Sequence, residues 1–339
     1  MEDFWSNHFN VTCPGDSIAE SRADHQQVIL RGSLGRFADL LRNVSSHPSM
    51  LTRLNNRDST WQHPNENQSR ELLELHSVGV GAGYGEAGVL DSARILTGLS
   101  VSSDSGEFLY EPWRHWMGIV SILGFTDPNA LQSGGLAVAY RYFDYLARHP
   151  ATATRIATKL AIRFVSDTPP ASLIESLAAV YLANDTAIAP VLRALFKSSG
   201  FAASTGLKVH RPYESVVATV GMLGLGPDVA PAWASTAVTI SRWNTMLDLT
   251  AGWWPNQLSR PDLAMHVIGA TLPSTHGALV AAAAKRFFGT SLRAEHQAAV
   301  LAFIGAAASD PVTGTSDAVA WQLPDWVALL LDSPYHVYR

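Results

Sequence analysis

Cysteine is almost missing from this chain. Its 339 residues hold a single one, Cys13, which excludes an internal disulfide and a zinc site built from several thiolates. Charge is also scarce. Asp, Glu, Lys and Arg together make up 16% of the residues, and the formal net charge of -5 contains no long run of either sign. A basic footprint for nucleic acid or an anionic membrane is therefore absent, and bulk charge selects no partner. No apolar segment reaches transmembrane length without polar interruption, and no N-terminal run joins a basic end, an apolar stretch and a small-residue cleavage site. As written, the polypeptide reads as cytoplasmic. Three frequent catalytic signatures are missing too: His-Glu-x-x-His, a glycine-rich phosphate loop and the Gly-x-Ser-x-Gly nucleophile turn.

What the chain has in quantity is apolar residues, 47% of the total, enough to fill the core of one large domain or two packed lobes. Leu34, Phe37, Leu40, Leu41 and Val44 fall at helical spacing, and Pro48 ends that run. A polar stretch, 55–64, carries Trp61 and His63 and reads as a surface loop. It feeds a helix expected from about Glu66 to Val78, stopped by Gly79. A further helix is expected over 86–96, closed by Thr97-Gly98. Between 107 and 125 the aromatics, Pro112 and a short apolar stretch fit an irregular segment or a hairpin better than a helix. Helices then follow in close succession at about 136–148, 151–165, 171–182, 188–197 and 213–223. More are expected near 279–288, 295–308 and 325–331. No fixed-period repeat marks a solenoid. The expectation is an all-α, multi-helix array with one irregular or hairpin insertion. Its N-terminal lobe, 1–133, carries the polar cluster and its C-terminal lobe is 134–339, unless the two form one continuous domain.

The densest polar run opens the helix at 66. At α-helical spacing Asn67, Arg70, Glu71 and Glu74 share a face. The structural reading has Asn65 or Asn67 capping the helix, Glu66 at its positive end, and Glu66–Arg70 and Arg70–Glu74 as i,i+4 pairs worth roughly 0.3–0.5 kcal/mol each. This is the favoured reading. The functional one has Glu71 and Glu74 as acid and base, Arg70 orienting an anionic group, Asn65 and Asn67 as ligand contacts, and His8, His76 and His115 as ligand contacts or proton carriers. Six of the twelve histidines, including His8, His76 and His115, lie in the first 115 residues, a slight excess. His8 reads first as a buried, hydrogen-bonded residue. His115, between Trp113, Arg114 and Trp116, is the best candidate for ligand contact, with Trp116 beside it. The residues alone leave open whether a metal or cofactor takes part. Trp253-Trp254-Pro255-Asn256 offers a stacking surface, although a core anchor is the preferred reading.

Several runs in order resemble the domain of unknown function 1800 family: Phe4-Trp5-Ser6-Asn7-His8-Phe9, His47-Pro48-Ser49-Met50-Leu51, Asn65 through Gly79, Tyr84, and Ala93-Arg94-Ile95-Leu96-Thr97-Gly98-Leu99. The likeness continues through His149-Pro150-Ala151-Thr152-Ala153, Arg211-Pro212-Tyr213-Glu214 and Leu331-Asp332-Ser333-Pro334. The resemblance implies an all-helical protein with no established activity. Many members carry export signals, and a protein partner encoded in a neighbouring gene, phosphatase- or sulfatase-like, is implied for them. Members usually begin with a helix bearing His and Arg before Phe-Gly, and this chain opens directly on Met1-Glu2-Asp3-Phe4. An N-terminally shortened sequence is therefore expected, exported if the missing segment holds a signal. Where many members show His-Asp-x-Gly-x-Lys, this chain has His115-Trp116-Met117-Gly118-Ile119-Val120, with the acid and the base replaced. The two functional expectations are a hydrolase-type enzyme acting on a polar small molecule or polymer, and a non-catalytic helical scaffold.

Overall fold

The computed structural model describes residues 1–12, 19–225, 242–252 and 262–338. Cys13 and the 253–256 aromatic run lie outside the described residues. The chain divides into two compact units, Met1–Ala203 and Ser204–Arg339, and Gly134 lies inside the first. Among the described residues helices dominate, with two small antiparallel hairpins. Among the same residues no helix is long and apolar enough to cross a membrane.

The first unit is built from α1 (Glu2–His8), α2 (Ala19–Gly32), α3 (Phe37–Ser45), α4 (Pro48–Arg53), α5 (Glu66–Glu71), α6 (Glu86–Leu96), α7 (Gly135–Arg148), α8 (Pro150–Phe164), α9 (Ala171–Ala183) and α10 (Ile188–Phe196). Helix α3 shows how the pattern becomes structure. Phe37, Ala38, Leu40, Leu41 and Val44 are all buried on one face, and α3 packs on α7. The helix starts at Phe37 because Arg36 is held extended in an isolated bridge with Ala187, and the Phe37 N–H donates to the Thr186 carbonyl at 2.9 Å. Leu34, expected on the buried face, therefore sits on an exposed turn. Pro48 does not merely stop the preceding helix. It occupies the first turn of α4, where its missing N–H has no partner to lose, and His47 caps that helix by accepting from Ser49 N–H at 3.1 Å.

The irregular insertion resolves into two hairpins. Strands β1 (Leu99–Val101) and β2 (Phe108–Tyr110) pair with Leu99 opposite Tyr110, and β3 (Val120–Ile122) pairs β4 (Phe125–Asp127) with Ile122 opposite Phe125. The second hairpin turns on Leu123-Gly124, both at positive φ (52° and 88°), the geometry that matches the twist of paired strands. Tyr145 on α7 donates its hydroxyl to the Leu123 carbonyl at 2.6 Å and holds the strained turn in place.

Helix α5 opens as the capping chemistry predicts, with Asn65 Oδ1 accepting from Asn67 N–H at 2.9 Å. An Asn65→Ala variant is expected to lose about 1 kcal/mol of stability, read as a lower urea midpoint with an unchanged slope. The helix does not continue regularly to Val78. A π turn spans Leu72–His76, Ser77 Oγ donates to the Leu72 carbonyl at 2.6 Å, and Gly79 (φ 88°) closes the segment through its N–H to Leu73 at 2.8 Å.

The second unit has its own core, in which Met246, Leu249, Leu279, Val280, Trp326, Val327 and Leu331 are buried. Its helix Arg242–Ala251 packs on Leu323–Leu331, and His336 is buried with Nε2 2.9 Å from the Thr219 hydroxyl.

Candidate functional site

The π turn decides which polar residues meet. Each i→i+5 ring encloses one residue more than an α-turn, so the angular advance per residue falls and the stripe drawn at α-helical spacing divides. Glu71 faces a cavity of about 210 Å³ whose walls include Asn7, His8, Asn10, Arg53 and His76. Glu74 instead stands beside Arg70, at 3.8 Å, and does not line that cavity.

Arg70 holds three carboxylates at the surface: Glu86 at 2.7 Å, Glu66 at 3.2 Å and Glu74 at 3.8 Å. The Glu86 hydrogen bond and charge raise the Arg70 pKa and lower that of Glu86. With its donors directed at these partners, the guanidinium is a surface clamp between α5 and α6. Asn65 is spent on the cap, and Asn67 reaches the Leu54 carbonyl at 3.3 Å from an exposed position.

His115 and Trp116 lie elsewhere in the unit. His115 is buried, with Nδ1 2.8 Å from the Thr97 carbonyl and Nε2 2.8 Å from Asn129 Oδ1. Asn129 is itself fixed, since its Nδ2 donates to the Trp116 carbonyl at 2.8 Å. Gly135 is required at the start of α7 because a Cβ there would run into both the His115 ring and the Tyr110 hydroxyl. Trp116 is half-buried under the Arg94 guanidinium, 4.6 Å from its ring centre. The His115 ring thus ties the Thr97 turn after α6 to Asn129 just beyond β4, close against Gly135 at the start of α7, and neither it nor Trp116 lines the Glu71 cavity.

At that cavity the structure brings together residues from α1 and the segment after it, the end of α4, and the α5–π-turn segment. His8, at the end of α1, is buried between Trp5, Phe9, Phe37 and His76. Its Nε2 lies 3.1 Å from the His76 carbonyl, so this nitrogen carries the proton and donates. Its Nδ1 is then free to accept from Lys159 Nζ on α8, at 2.7 Å. Burial, reinforced by Lys159 and by His76, holds His8 well below the usual imidazole value. Burial and then the charges of Lys159 and Arg155 push His76 down to about 3. Lys159 itself is brought down to about 8 by burial and by Arg155 one turn earlier. Such a group exchanges protons near neutral pH, which an ordinary lysine does not.

Lys159 is the residue that sequence reasoning missed, although it left a signal. The chain has four lysines, and this one has Arg155 and Arg163 at i-4 and i+4 with no carboxylate at helical spacing. A cation so placed has no partner on its own helix and must find one across the core. Among the described residues, no three His, Cys, Asp or Glu side chains form a group that could hold a metal ion.

A model of the family described as a protein of unknown function, DUF1800, matches residues 1–223, which include the whole cavity and the Lys159–His8 pair. No curated protein and no solved structure matches the chain.

Proposed function

For a chain that belongs to the DUF1800 family of proteins of unknown function, we propose that the cavity between α1 and the π turn is an acid–base site of the hydrolase type. The observation that carries this reading is the 2.7 Å contact of Lys159 Nζ with His8 Nδ1, behind a wall that the cavity shares with Glu71. Glu71 is the carboxylate able to accept a proton from a water or hydroxyl in the cavity. Lys159 does not line the cavity and acts through His8, which does: a lysine pKa of about 8 lets it hold a proton against His8 Nδ1 and exchange it near neutral pH. Arg53 in the wall supplies a cation to orient a polar substrate. At about 210 Å³ the cavity is below the ~300 Å³ of typical ligand pockets, so the substrate is a small polar molecule or a single unit of a polymer. Glu74 and Arg70 are left outside the chemistry.

The second reading, a non-catalytic helical scaffold, draws on the Arg70 clamp, where three carboxylates and a guanidinium neutralise one another between two helices. The two readings part in one experiment. Wild type, Glu71→Gln, Lys159→Met and Arg70→Gln are screened against chromogenic esters, glycosides and phosphate monoesters from pH 6 to 9. The acid–base reading expects turnover that falls by roughly 100-fold or more in the first two variants and stays near wild type in Arg70→Gln. Wild-type turnover in folded Glu71→Gln and Lys159→Met would sink it, and no turnover of any substrate by the wild type would favour the scaffold.

A further inference from the structure

A groove of about 850 Å³ lies at the β1–β2 hairpin, separate from the Glu71 cavity. We propose that it is a saccharide-binding site. Its walls carry the hydroxyls of Ser21, Thr52, Ser100, Ser102, Ser103 and Ser105. Ser21 is paired with Ser49, Ser100 and Ser103 donate within the protein to the Arg57 carbonyl and Asp104 and keep acceptor capacity, and Ser102 and Ser105 accept backbone N–H groups and keep a donor. Short hydroxyls both donate and accept, and so match the alternating hydroxyl pattern of a sugar ring.

The charged residues of the groove point to a neutral ligand. Two arginines, Arg57 and Arg114, face three carboxylates, Asp58, Asp104 and Glu111, so the lining as a whole does not attract an anion. The cations are already engaged: Arg114 Nε lies 2.9 Å from Glu111 and its Nη1 donates to the Arg57 carbonyl at 2.9 Å, while Arg57 lies 3.5 Å from Asp58. Paired planar groups of this kind present fixed donors and acceptors side by side, the arrangement that reads vicinal hydroxyls.

Two exposed tryptophans stand next to Arg114. Trp113 is 60% exposed, and the Arg114 guanidinium lies 4.9 Å from its ring centre. Trp61 is 49% exposed, and its backbone N–H donates to the Arg114 carbonyl at 2.8 Å. Neither indole lines the groove itself, but Trp113 stacks on Arg114, which does. An exposed aromatic face at the rim next to a hydroxyl-lined wall fits a ligand with one apolar C–H face and a polar rim, which is the surface of a pyranose. The volume lies within the ~300–1,000 Å³ of small-ligand pockets, room for a short oligosaccharide rather than a single ring.

The test uses the full chain with cellotriose, maltotriose, the N-acetylglucosamine trimer and inorganic phosphate as probes, followed by tryptophan fluorescence and saturation-transfer NMR. At least one trisaccharide is expected to bind saturably. Trp113→Ala and Ser103→Trp, both at exposed positions, are expected to weaken it by roughly tenfold or more with unchanged thermal melting. Glu71→Gln is expected to leave this affinity intact, so the outcome is independent of the acid–base site. The proposal is overturned if no trisaccharide binds at millimolar concentration, if binding survives both groove variants, or if phosphate alone binds.

Discussion

Acidification from pH 6.5 to pH 4 is expected to remove about 3 kcal/mol of stability from the first unit for each of two histidines, His25 and His76, on the basis of linkage at ~1.4 kcal/mol per pH unit. His25 is fully buried, and neither ring nitrogen has a hydrogen-bond partner. Burial, then the neighbouring His47 ring at 5.1 Å and the charge of Arg22, bring it down to about 3, against a smaller opposing effect of Asp24. His76 is brought to the same value by burial, Lys159 and Arg155. In both cases the folded-state pKa lies below the unfolded value of 6.5. The unfolded chain therefore binds more protons between pH 6.5 and 3, and stability present above that window is lost as pH falls through it. Together the two losses, about 6 kcal/mol, rival the whole stability of an ordinary domain, ~5–15 kcal/mol. His25→Leu is expected to remove the His25 share of the acid loss, about 3 kcal/mol, while His76 and His8, also held below the ordinary imidazole value, keep theirs. It is expected to be at least as stable as wild type at pH 7, because it removes two unpaired buried nitrogens. Urea titrations followed by circular dichroism at pH 7, 5.5 and 4.5 check both statements. An acid profile in His25→Leu that superimposes on wild type would contradict them.

Trp5→Ala is expected to lose about 3–5 kcal/mol. The indole is fully buried against Phe4 at 4.8 Å, Phe37 at 5.4 Å and Phe9 at 6.0 Å between ring centres. Its Nε1–H donates to the Ser33 carbonyl at 2.9 Å, joining α1 to the end of α2. Truncation leaves a large void and strips that carbonyl of its donor. The same ring packs edge-on against His8 at 5.4 Å, so the variant also loosens the contact with Lys159. Trp5→Phe keeps part of the volume but not the donor, and should fall between the two, about 1–3 kcal/mol below wild type. A Trp5→Ala urea midpoint within about 0.5 kcal/mol of wild type would show that α1 does not pack as described.

Helices whose ends carry explicit chemistry were legible from the sequence. Helix α6 runs over the expected 86–96 and closes at Gly98 (φ 85°), and α7 ends at Arg148 before His149-Pro150. The π turn was not legible, because Leu72, Leu73 and His76 give the same buried pattern in either helix type, and the choice rests on Ser77 and Gly79 closing back on Leu72 and Leu73. That turn is why Glu71 and Glu74, adjacent on a regular helix, serve different surroundings. His8 and Glu71 could be singled out by residue type, but the partner of His8 lies 151 positions away on α8, and local periodicity carries no such distance. His115 shows the opposite case: aromatic neighbours in sequence suggested a pocket, while Thr97 and Asn129, remote from that run, make it a buried tie between elements.

The Lys159–His8 pair is most directly tested by NMR titration of the protein labelled at its lysine side chains, a set of four, with Lys159→Met assigning the signal. The pair as described predicts that Lys159 titrates at about 8 and that Arg155→Gln moves it upward, since Arg155 is one of the two causes of the depression. A Lys159 that titrates near 10.5, the ordinary lysine value, in the folded wild type would contradict the buried contact and the acid–base site built on it.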